Sequence, residues 1–329
     1  MNAEWAYEGK RILITGSTGY IATCLVNSLK DTACHIVRLS REGTVFEPIL
    51  GKAQIEDRTG DIRERAIWEE VLADIDVVIH LAADTSFAGN EAPFVDLAIN
   101  LTPMMHLLEV CRLNAYSPTI LFAGTVTQVG IPTRLPVDEN HPDSPPTVYD
   151  LHKLLAEQYL EYYIRQEFVK GATLRLANVY GPGPASSSAA RGVLNSMINR
   201  AVKRQTLTIY GQGNYMRDFV YIQDVAQAFL QAGANIKCIN GQHFVIGSSR
   251  GYTITEAIHL VVERVAVKTG QRAPVTHIEP PKPMLPIELR NFVADSSRFS
   301  QALGWQAHVP LEQGIDLTID YFLRQDRME

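Results

Sequence analysis

The sequence has few cysteines, scattered histidines and no paired metal-ligand spacing. Its four cysteines, Cys24, Cys34, Cys111 and Cys238, are isolated, and no two form a C-x-x-C pair. This pattern argues against a disulfide framework and indicates reduced thiols. The nine histidines are spread along the chain, so we expect neither a structural nor a catalytic metal.

The chain also lacks a basic run, a long apolar segment and a recognisable leader. Its formal net charge is −6 and no Lys/Arg-rich stretch interrupts it, so nucleic acid is not an expected partner. Nothing approaches ~18 uninterrupted apolar residues. The beginning, MNAEWAYEGKR, has no signal-peptide core. We therefore expect a cytoplasmic protein with no membrane partner.

What the chain does have is a regular alternation of short apolar runs and amphipathic stretches. With 329 residues, 46% of them hydrophobic, it can bury a sizeable core. The alternation predicts an α/β fold, a doubly wound parallel Rossmann sheet covered by helices on both faces. The expected strands include residues 11–15, 35–39, 76–82, 119–124 and 172–177, and a helix is expected over 149–168.

The second half changes pattern after GPGPASSSAARG, residues 181–192. A helix is expected at 193–203, then a short strand, loops, a helix beginning near Thr255 and a Pro-rich connector at 277–286. We predict a dinucleotide-binding domain of residues 1–178 plus about 219–247. A smaller, interleaved substrate domain would comprise 179–218 and 248–329.

A glycine-rich turn follows the first predicted strand. In TGSTGYIAT, residues 15–23, Gly16 permits a tight turn, Gly19 lets the backbone approach a pyrophosphate, and Ala22 keeps the next helix close to the sheet. This context predicts dinucleotide binding rather than a simple turn. The cofactor contacts expected here and after the fourth strand are Gly16, Thr18, Gly19, Tyr20, Ile21, Leu81, Ala82 and Ala83.

The end of the second strand distinguishes NAD from NADP. A carboxylate there would bind the ribose 2′-hydroxyl, but the chain has Ser40 and Arg41, with Arg38 nearby and no acid before Glu42. Arginine suits a 2′-phosphate, so we favour NADP over NAD, which stays possible; the arginines could equally be solvated loop charges. After the third strand, Asp61 and Ile62 are placed to meet adenine, although Asp61 could also cap a helix.

Six segments in order resemble the extended short-chain dehydrogenase/reductase family, in its NAD(P)-dependent nucleotide-sugar epimerase/dehydratase branch. The resemblance spans nearly the whole chain and rests on TGSTGYIA, VIHLAA, Tyr149-x-x-x-Lys153, RLANVYGPG, RDFVYIQDVA and ADSSRFSQALGW. The Tyr–Lys spacing alone would be weak evidence. The order of the six segments is the stronger signal.

The resemblance implies a catalytic set of Thr125, Tyr149 and Lys153. One helical turn separates Tyr149 from Lys153, so an ammonium can stabilise a phenolate that exchanges a proton with a sugar hydroxyl. Lowering a phenol pKa from ~10 toward ~7 requires about 4 kcal/mol, so a closed cleft is expected. Thr125, five residues before Gly130, would hold the substrate oxygen; Thr127 is the nearest competitor, and either could simply cap a turn.

The resemblance also implies that substrate contacts come from Ser86, Thr125, Asn178, Arg217 and Arg290. Arg290 is the nearest substitute for a family arginine, because Leu285 occupies that arginine's place. Arg217 could instead pair with Asp218 or Asp224. Val126 and Thr127 replace the acidic pair of the sugar dehydratases, so dehydration is disfavoured.

The expected function is nucleotide-sugar epimerisation, with transient oxidation and re-reduction of a ring carbon, most plausibly C4, through a keto-sugar. An NADPH-dependent 4-ketoreductase is the alternative within the same chemistry. A non-catalytic dinucleotide-sensing scaffold is the alternative of another class, disfavoured because Thr125, Tyr149 and Lys153 are all present. The partner is a nucleotide-activated sugar, and a homodimer is expected through the helix carrying Met104, Met105 and Leu108 together with the Tyr149 helix.

Overall fold

The computed structural model describes residues 3–85, 90–184, 192–280 and 284–325. Short 3-10 helices lie at Ala3–Tyr7, Val126–Val129 and Pro286–Leu289. The helices and strands are, in chain order, β1 (Arg11–Thr15), α1 (Tyr20–Leu29), β2 (His35–Ser40), β3 (Gln54–Thr59), α2 (Arg65–Val71), β4 (Val77–His80), α3 (Pro93–Asn100), α4 (Thr102–Asn114), β5 (Thr119–Thr125), α5 (Val148–Arg165), β6 (Lys170–Leu176), β7 (Asn178–Tyr180), α6 (Val193–Val202), β8 (Leu207–Tyr210), β9 (Met216–Tyr221), α7 (Ile222–Ala234), α8 (Ile236–Ile239), β10 (His243–Ile246), β11 (Gly251–Thr253), α9 (Ile254–Thr269), β12 (Val275–Ile278), α10 (Ser297–Leu303) and α11 (Leu311–Gln325).

The main sheet has seven strands in the order β10-β6-β5-β4-β1-β2-β3, and every neighbouring pair is parallel. From β1 the chain first builds outward through β2 and β3, then returns to place β4 on the other side of β1. The order therefore reverses between β1 and β4, which opens a crevice at their carboxyl ends. This confirms the predicted doubly wound α/β fold.

Apolar side chains cover both faces of the sheet, as expected for buried parallel strands. On one face α1 and α7 pack through residues such as Leu25 and Phe229. On the other face α2, α4 and α5 pack through residues such as Trp68, Leu107 and Leu160. The two layers hold the carboxyl ends of the strands in a fixed arrangement.

The apolar stretch after β4, expected as one helix, forms two. α3 ends at Asn100 and α4 begins at Thr102, with Pro103 in its first turn, where a missing N–H costs nothing. By length and composition the combined stretch Pro93–Asn114 could span a membrane, but half of the apolar window is buried within the fold. A core helix passes the same test, so this is weak evidence for a membrane span.

A second region contains a three-stranded sheet, β11-β9-β7, and a two-stranded sheet, β12-β8. Its core lies among α6, α9 and α11 and includes Ile198, Val261 and Ile315. The chain returns to the main core through α7 and β10, while β9 belongs to the small sheet. Residues 292–305, assigned by sequence to the second domain, also contribute Phe292, Phe299 and Trp305 to the main core. The proposed domain division itself stays a prediction.

Candidate active site

The glycine-rich turn lies at the crevice between β1 and β4. Gly16 has φ +63, and a Cβ at this position would lie 2.9 Å from the Cα of Ala82. A Cβ on Gly19 would lie 2.8 Å from the Gly16 carbonyl oxygen. Gly19 is the N-cap of α1 and no side chain caps the helix. The turn is thus compatible only with glycine, and it leaves the first amides of α1 available to an anion.

Two polar side chains in this turn fit a phosphate-bearing ligand. The Ser17 hydroxyl is buried and, within the described residues, has no hydrogen-bond partner. The Thr18 hydroxyl lies 3.2 Å from that of Ser40 at the end of β2. A buried donor without a partner is costly unless a ligand satisfies it. The residues present therefore fit a dinucleotide pyrophosphate.

The predicted contacts Tyr20 and Ile21 lie in the first turn of α1, but their side chains serve packing. The Tyr20 hydroxyl donates to the carbonyl of Gly181 over 2.7 Å and accepts from the Asn195 amide over 3.1 Å. Ile21 packs against the main core. Tyr20 and Ile21 carry the first backbone amides of α1. These amides, rather than the two side chains, are therefore the groups that can bind an anion in the crevice.

The opposite wall of the crevice is the segment after β4, held by a buried hydroxyl. Thr15 Oγ1 accepts from the amides of Leu81 and Ala82 over 3.1 and 3.2 Å and lies 2.8 Å from His80 Nδ1. With both lone pairs used, this hydroxyl donates its proton to Nδ1, so His80 is neutral. Burial, followed by the charge of Lys153, lowers the pKa of His80 to about 3. Ala83 continues this wall, half-buried.

At the adenine end, Arg38 within β2 and Arg41 just after it differ in their surroundings. Arg38 is buried and forms two hydrogen bonds, of 2.6 and 2.8 Å, with the carboxylate of Asp57, so it is committed to structure. Arg41 is exposed. The pKa of Asp61 is lowered chiefly by the hydrogen bond from Arg63, and the nearby positive charge of Arg41 contributes to the lowering. Of the two, only Arg41 has a guanidinium placed in solvent beside the crevice.

Ile62, the other predicted adenine contact, follows Asp61 and is half-buried. It packs against the core below α2, and its carbonyl accepts from the indole of Trp68 over 2.8 Å. The segment after β3 is thereby fixed in place.

The Tyr149 and Lys153 pair lies buried in the first turns of α5, which packs on β5. The Lys153 ammonium lies 3.9 Å from the centre of the Phe122 ring on β5, and that ring stacks on His80 of β4. The first helical turn of α5 is thus set against the carboxyl ends of β4 and β5. Both side chains are therefore largely shielded from bulk solvent.

Thr125 ends β5 and caps the 3-10 helix that follows, so the capping interpretation is also correct. Its hydroxyl accepts from the Thr127 amide and lies 2.8 Å from the Thr127 hydroxyl. The Thr127 hydroxyl donates to Asp150, the residue after Tyr149. A chain of hydrogen bonds therefore joins the end of β5 to the first turn of α5.

Of the predicted substrate residues, Asn178, Arg217 and Arg290 lie in the second region, Thr125 ends β5 of the main sheet, and Ser86 lies outside the described residues. Asn178 is exposed on β7. Arg217, on the neighbouring β9, is buried, and its guanidinium donates to the carbonyls of Met216, Glu288 and Arg290. Burial lowers the pKa of Arg217. The backbone carbonyl of Arg290 therefore lies against the Arg217 guanidinium, and the binding of substrate by these two arginines stays a prediction.

Among the described residues, Arg217 donates to backbone carbonyls and forms an ion pair with neither Asp218 nor Asp224. The Asp218 carboxylate accepts from the backbone amides of Ser248, Ser249 and Ala294. The Asp224 carboxylate accepts from the amides of His308 and Val309. Burial raises the pKa of both acids.

Sequence reasoning missed three buried polar residues around the site. His80 lies beneath Lys153, Asp150 anchors the first turn of α5, and Asn100 makes two hydrogen bonds with the backbone of Asp84. An acid directly after Tyr149 and two threonines nearby were the available signal for Asp150. His152, on the same helix as Tyr149, is also buried, and its Nδ1 lies 2.6 Å from Asp96 of α3.

Comparisons with known proteins agree with this geometry. A model of the NAD dependent epimerase/dehydratase family matches residues 12–247. A putative UDP-glucose 4-epimerase of Methanocaldococcus jannaschii is 28% identical over 320 residues, 96% of this chain and 99% of the relative. The UDP-glucose 4-epimerase of Mycolicibacterium smegmatis is 28% identical over 95% of this chain and 98% of its own.

Solved structures give the same result for the fold. The UDP-glucose 4-epimerase of Thermotoga maritima with UDP-glucose superposes with a TM-score of 0.85, at 27% identity, over 97% of this chain and 100% of that chain. That of Thermus thermophilus in complex with NAD has a TM-score of 0.81, at 27% identity, over 95% and 99%. The predicted family resemblance, the fold and a nicotinamide-dinucleotide enzyme are confirmed. The family model matches well over half of this chain, so the chain belongs to the NAD-dependent epimerase/dehydratase family.

Proposed function

We propose that this chain is an NAD(P)-dependent nucleotide-sugar epimerase that inverts a ring carbon, C4, through a keto-sugar. One observation carries the proposal: Lys153, beside Tyr149 on α5, is buried over Phe122 of β5, next to the crevice that the glycine-rich turn forms. Proton-transfer groups and a dinucleotide cradle thus share the carboxyl edge of one sheet. The relatives named UDP-glucose 4-epimerase make UDP-hexoses the first substrates to test.

The bound nicotinamide dinucleotide would supply reversible hydride acceptance; the chain's own residues supply the rest. Tyr149 would take the proton of the sugar hydroxyl and return it after the keto-sugar has turned. Lys153 would stabilise the phenolate and hold the nicotinamide ribose. Thr125 would hold the sugar oxygen. The buried setting of Tyr149 and Lys153 supports this assignment, because a solvated pair would be screened.

The second region would hold the substrate diphosphate. Arg217 and Arg290 are both buried, the backbone carbonyl of Arg290 accepts from the Arg217 guanidinium, and Asn178 lies on the strand next to Arg217. Two buried arginines in a chain of net charge −6 support a localised anion site. We therefore assign the nucleotide diphosphate to this pair. Ser86 remains part of the proposal on sequence grounds.

The test is Y149F, measured against Y159F as a control from the exposed part of the same helix. Turnover of UDP-glucose and UDP-galactose would be followed with NADPH consumption recorded separately. We expect Y149F to lower kcat by roughly 10²-fold or more, with bound dinucleotide retained and Y159F unaffected. Unchanged turnover in Y149F would refute the assignment. NADPH consumption without isomer formation would favour the ketoreductase alternative.

We propose NADP(H) as the preferred cofactor. Ser40 ends β2, no acid stands there to bind a 2′-hydroxyl, and Arg41 is exposed beside Asp61. A guanidinium so placed suits a 2′-phosphate. The NAD-bound structure of the Thermus relative keeps NAD as the competing cofactor. In R41A the Kd for NADP should rise about tenfold with that for NAD unchanged; an equal effect on both would contradict the proposal.

We also propose a cytoplasmic homodimer formed through α3, α4 and α5. Met104 and Leu108, two of the three residues considered for this interface, are fully buried, whereas Met105 is exposed. Further exposed apolar side chains lie on these helices, namely Phe94, Val95, Leu97, Leu113, Leu151, Tyr159 and Tyr162. Such a surface suits a subunit contact. A monomeric mass in sedimentation equilibrium would contradict it.

A further inference from the structure

A buried cluster of charged side chains lies two helical turns beyond Tyr149, and the proposed chemistry does not use it. Glu157 of α5 and Arg175 of β6 are both almost fully buried. The Arg175 guanidinium donates to both carboxylate oxygens of Glu157, from Nε over 3.0 Å and from Nη2 over 2.5 Å. It also donates to both oxygens of Asp143, in the connection before α5, over 2.7 and 2.9 Å. Arg175 is therefore held from two sides.

A buried ion pair of this kind contributes geometry more than stability. Removing two charges from water costs about as much free energy as their attraction returns. Burial alone would lower the pKa of Arg175, but its hydrogen bonds with Glu157 and Asp143 outweigh burial and raise the pKa, so the guanidinium stays charged. A planar guanidinium and a carboxylate that share two hydrogen bonds meet in a defined relative orientation. The pair therefore fixes how α5 lies on β6.

Glu157 lies on the same face of α5 as the two side chains assigned to proton transfer. Tyr149, Lys153 and Glu157 are spaced four residues apart, so they form one stripe along the helix. At 1.5 Å per residue, Glu157 lies about 6 Å from Lys153 and about 12 Å from Tyr149 along the helix axis. A rotation or slide of α5 at Glu157 therefore also moves the ammonium and the phenol.

The Glu157 carboxylate also contacts the 3-10 helix that follows β5. The fully buried Gln128 side chain donates from Nε2 to Glu157 over 3.4 Å. Its Oε1 accepts from the backbone amide of Thr125 over 3.1 Å. Glu157 thus joins α5 to β6 through Arg175 and to the end of β5 through Gln128.

We infer that Glu157 is a positioning residue for the proposed reaction, whose pairing with Arg175 sets α5 on β6 and so holds Tyr149 and Lys153 at the carboxyl end of β5. The inference rests on the proposed epimerase function. The Arg175 guanidinium cannot follow a shift of α5, because Asp143 holds its other side. The length of the Glu157 side chain, rather than its charge, is therefore the property that matters.

The test compares E157D and E157Q, with E161D as the matched control. Aspartate keeps the charge but shortens the side chain by one C–C bond, about 1.5 Å, so α5 must shift or the pair must open. Glutamine keeps the length, and its carbonyl oxygen can still accept from Arg175. Glu161 lies one turn further along α5, where its exposed carboxylate pairs with Arg165 over 3.3 Å. E161D therefore makes the same chemical change outside the cluster.

We expect E157D to lower kcat by roughly 10²-fold, since a displacement of about 1 Å at the reacting groups has an effect of this size. E157Q should stay within about fivefold of wild type, and E161D should be unchanged. KM for UDP-glucose and Kd for NADP should stay within about twofold in all three variants, because Arg217 and the glycine-rich turn lie on other elements. Assays below the melting temperature of each variant separate this effect from loss of folded protein.

Two results would overturn the inference. One is an E157D protein with the kcat of E161D, or with its loss in KM rather than in kcat. The other is an E157Q protein more impaired than E157D, because charge would then matter more than length. Should E157D not fold, R175K provides the comparison, since a lysine keeps the charge but cannot form paired hydrogen bonds with both Glu157 and Asp143. A wild-type kcat in R175K would also overturn the inference.

The two levels of proposal fail separately. If wild-type protein does not interconvert any nucleotide sugar, the proposed function fails and the inference fails with it. If wild type, E161D and E157D all epimerise equally well, the function stands and only the positioning role of Glu157 is lost.

Discussion

Replacing Gly16 by alanine tests the glycine-rich turn, and the chain provides a matched control. Gly16 has φ +63 and a Cβ there would lie 2.9 Å from the Ala82 Cα. Gly9 has φ +71, but nothing lies within 4 Å of a Cβ built there. Both variants carry the cost of a left-handed alanine, about 1–2 kcal/mol. Only G16A adds a collision between two backbone segments, which no rotamer change relieves.

The collision should cost about 1–3 kcal/mol more, in the range of overpacking. At about 2–4 °C per kcal/mol, G9A should melt about 2–8 °C below wild type and G16A about 4–20 °C below. G16A should also weaken dinucleotide binding at least about tenfold, or ~1.4 kcal/mol, because the turn and the wall at Ala82 must separate. G9A should bind normally.

The measurements are thermal melts without ligand and calorimetric titration with NADP and NAD at a temperature where both variants are folded. The close approach of the turn to Ala82 would be refuted if G16A had the same melting temperature as G9A and bound either dinucleotide with wild-type affinity.

Two further predictions follow from the same site. The pKa of His80 is about 3 in the folded chain, below its ordinary ~6.5, so below pH 6.5 the unfolded chain binds a proton that the folded chain does not, and the free energy of unfolding decreases as the pH is lowered. In urea titrations, wild type should lose about 2 kcal/mol of this free energy between pH 8 and pH 5. H80N, whose Oδ1 still accepts from Thr15, should lose about 2 kcal/mol less than wild type. An equal loss in both would contradict it. Y20F should loosen the contact with Gly181 and lower the melting temperature by roughly 2–4 °C while NADP binding persists, since the hydroxyl contacts the second region; lost binding would contradict this.

Much of the fold was predictable because its signals are local. Buried parallel strands can be recognised in the sequence as short runs rich in β-branched residues. The turn from Gly16 to Gly19 can be recognised by its two glycines directly after such a run. The strand order, the split of the helix at Leu101 and the return of residues 292–305 to the main core depend on tertiary packing, so no window of sequence could give them.

At the site, sequence indicated which residue types matter but not what they touch. Arg38 and Arg41 look equivalent in sequence, yet Arg38 is consumed by Asp57 across two neighbouring strands. From sequence, Arg217 was expected either to bind a phosphate or to pair with Asp218 or Asp224. In the structure its guanidinium donates to backbone carbonyls instead of either carboxylate. Asp150 accepts a hydrogen bond from Thr127, 23 positions away in the chain, and such contacts arise only from the fold.

In the proposed epimerase, hydride leaves and returns to the same sugar carbon on one enzyme molecule. To test this, the protein is incubated with UDP-glucose carrying deuterium at C4, with no added reduced cofactor, and the product is analysed by mass spectrometry and NMR. We expect UDP-galactose with the deuterium retained at C4 and no net NADPH formed or consumed. Deuterium lost from the product, or conversion that occurs only when NADPH is supplied, would contradict it.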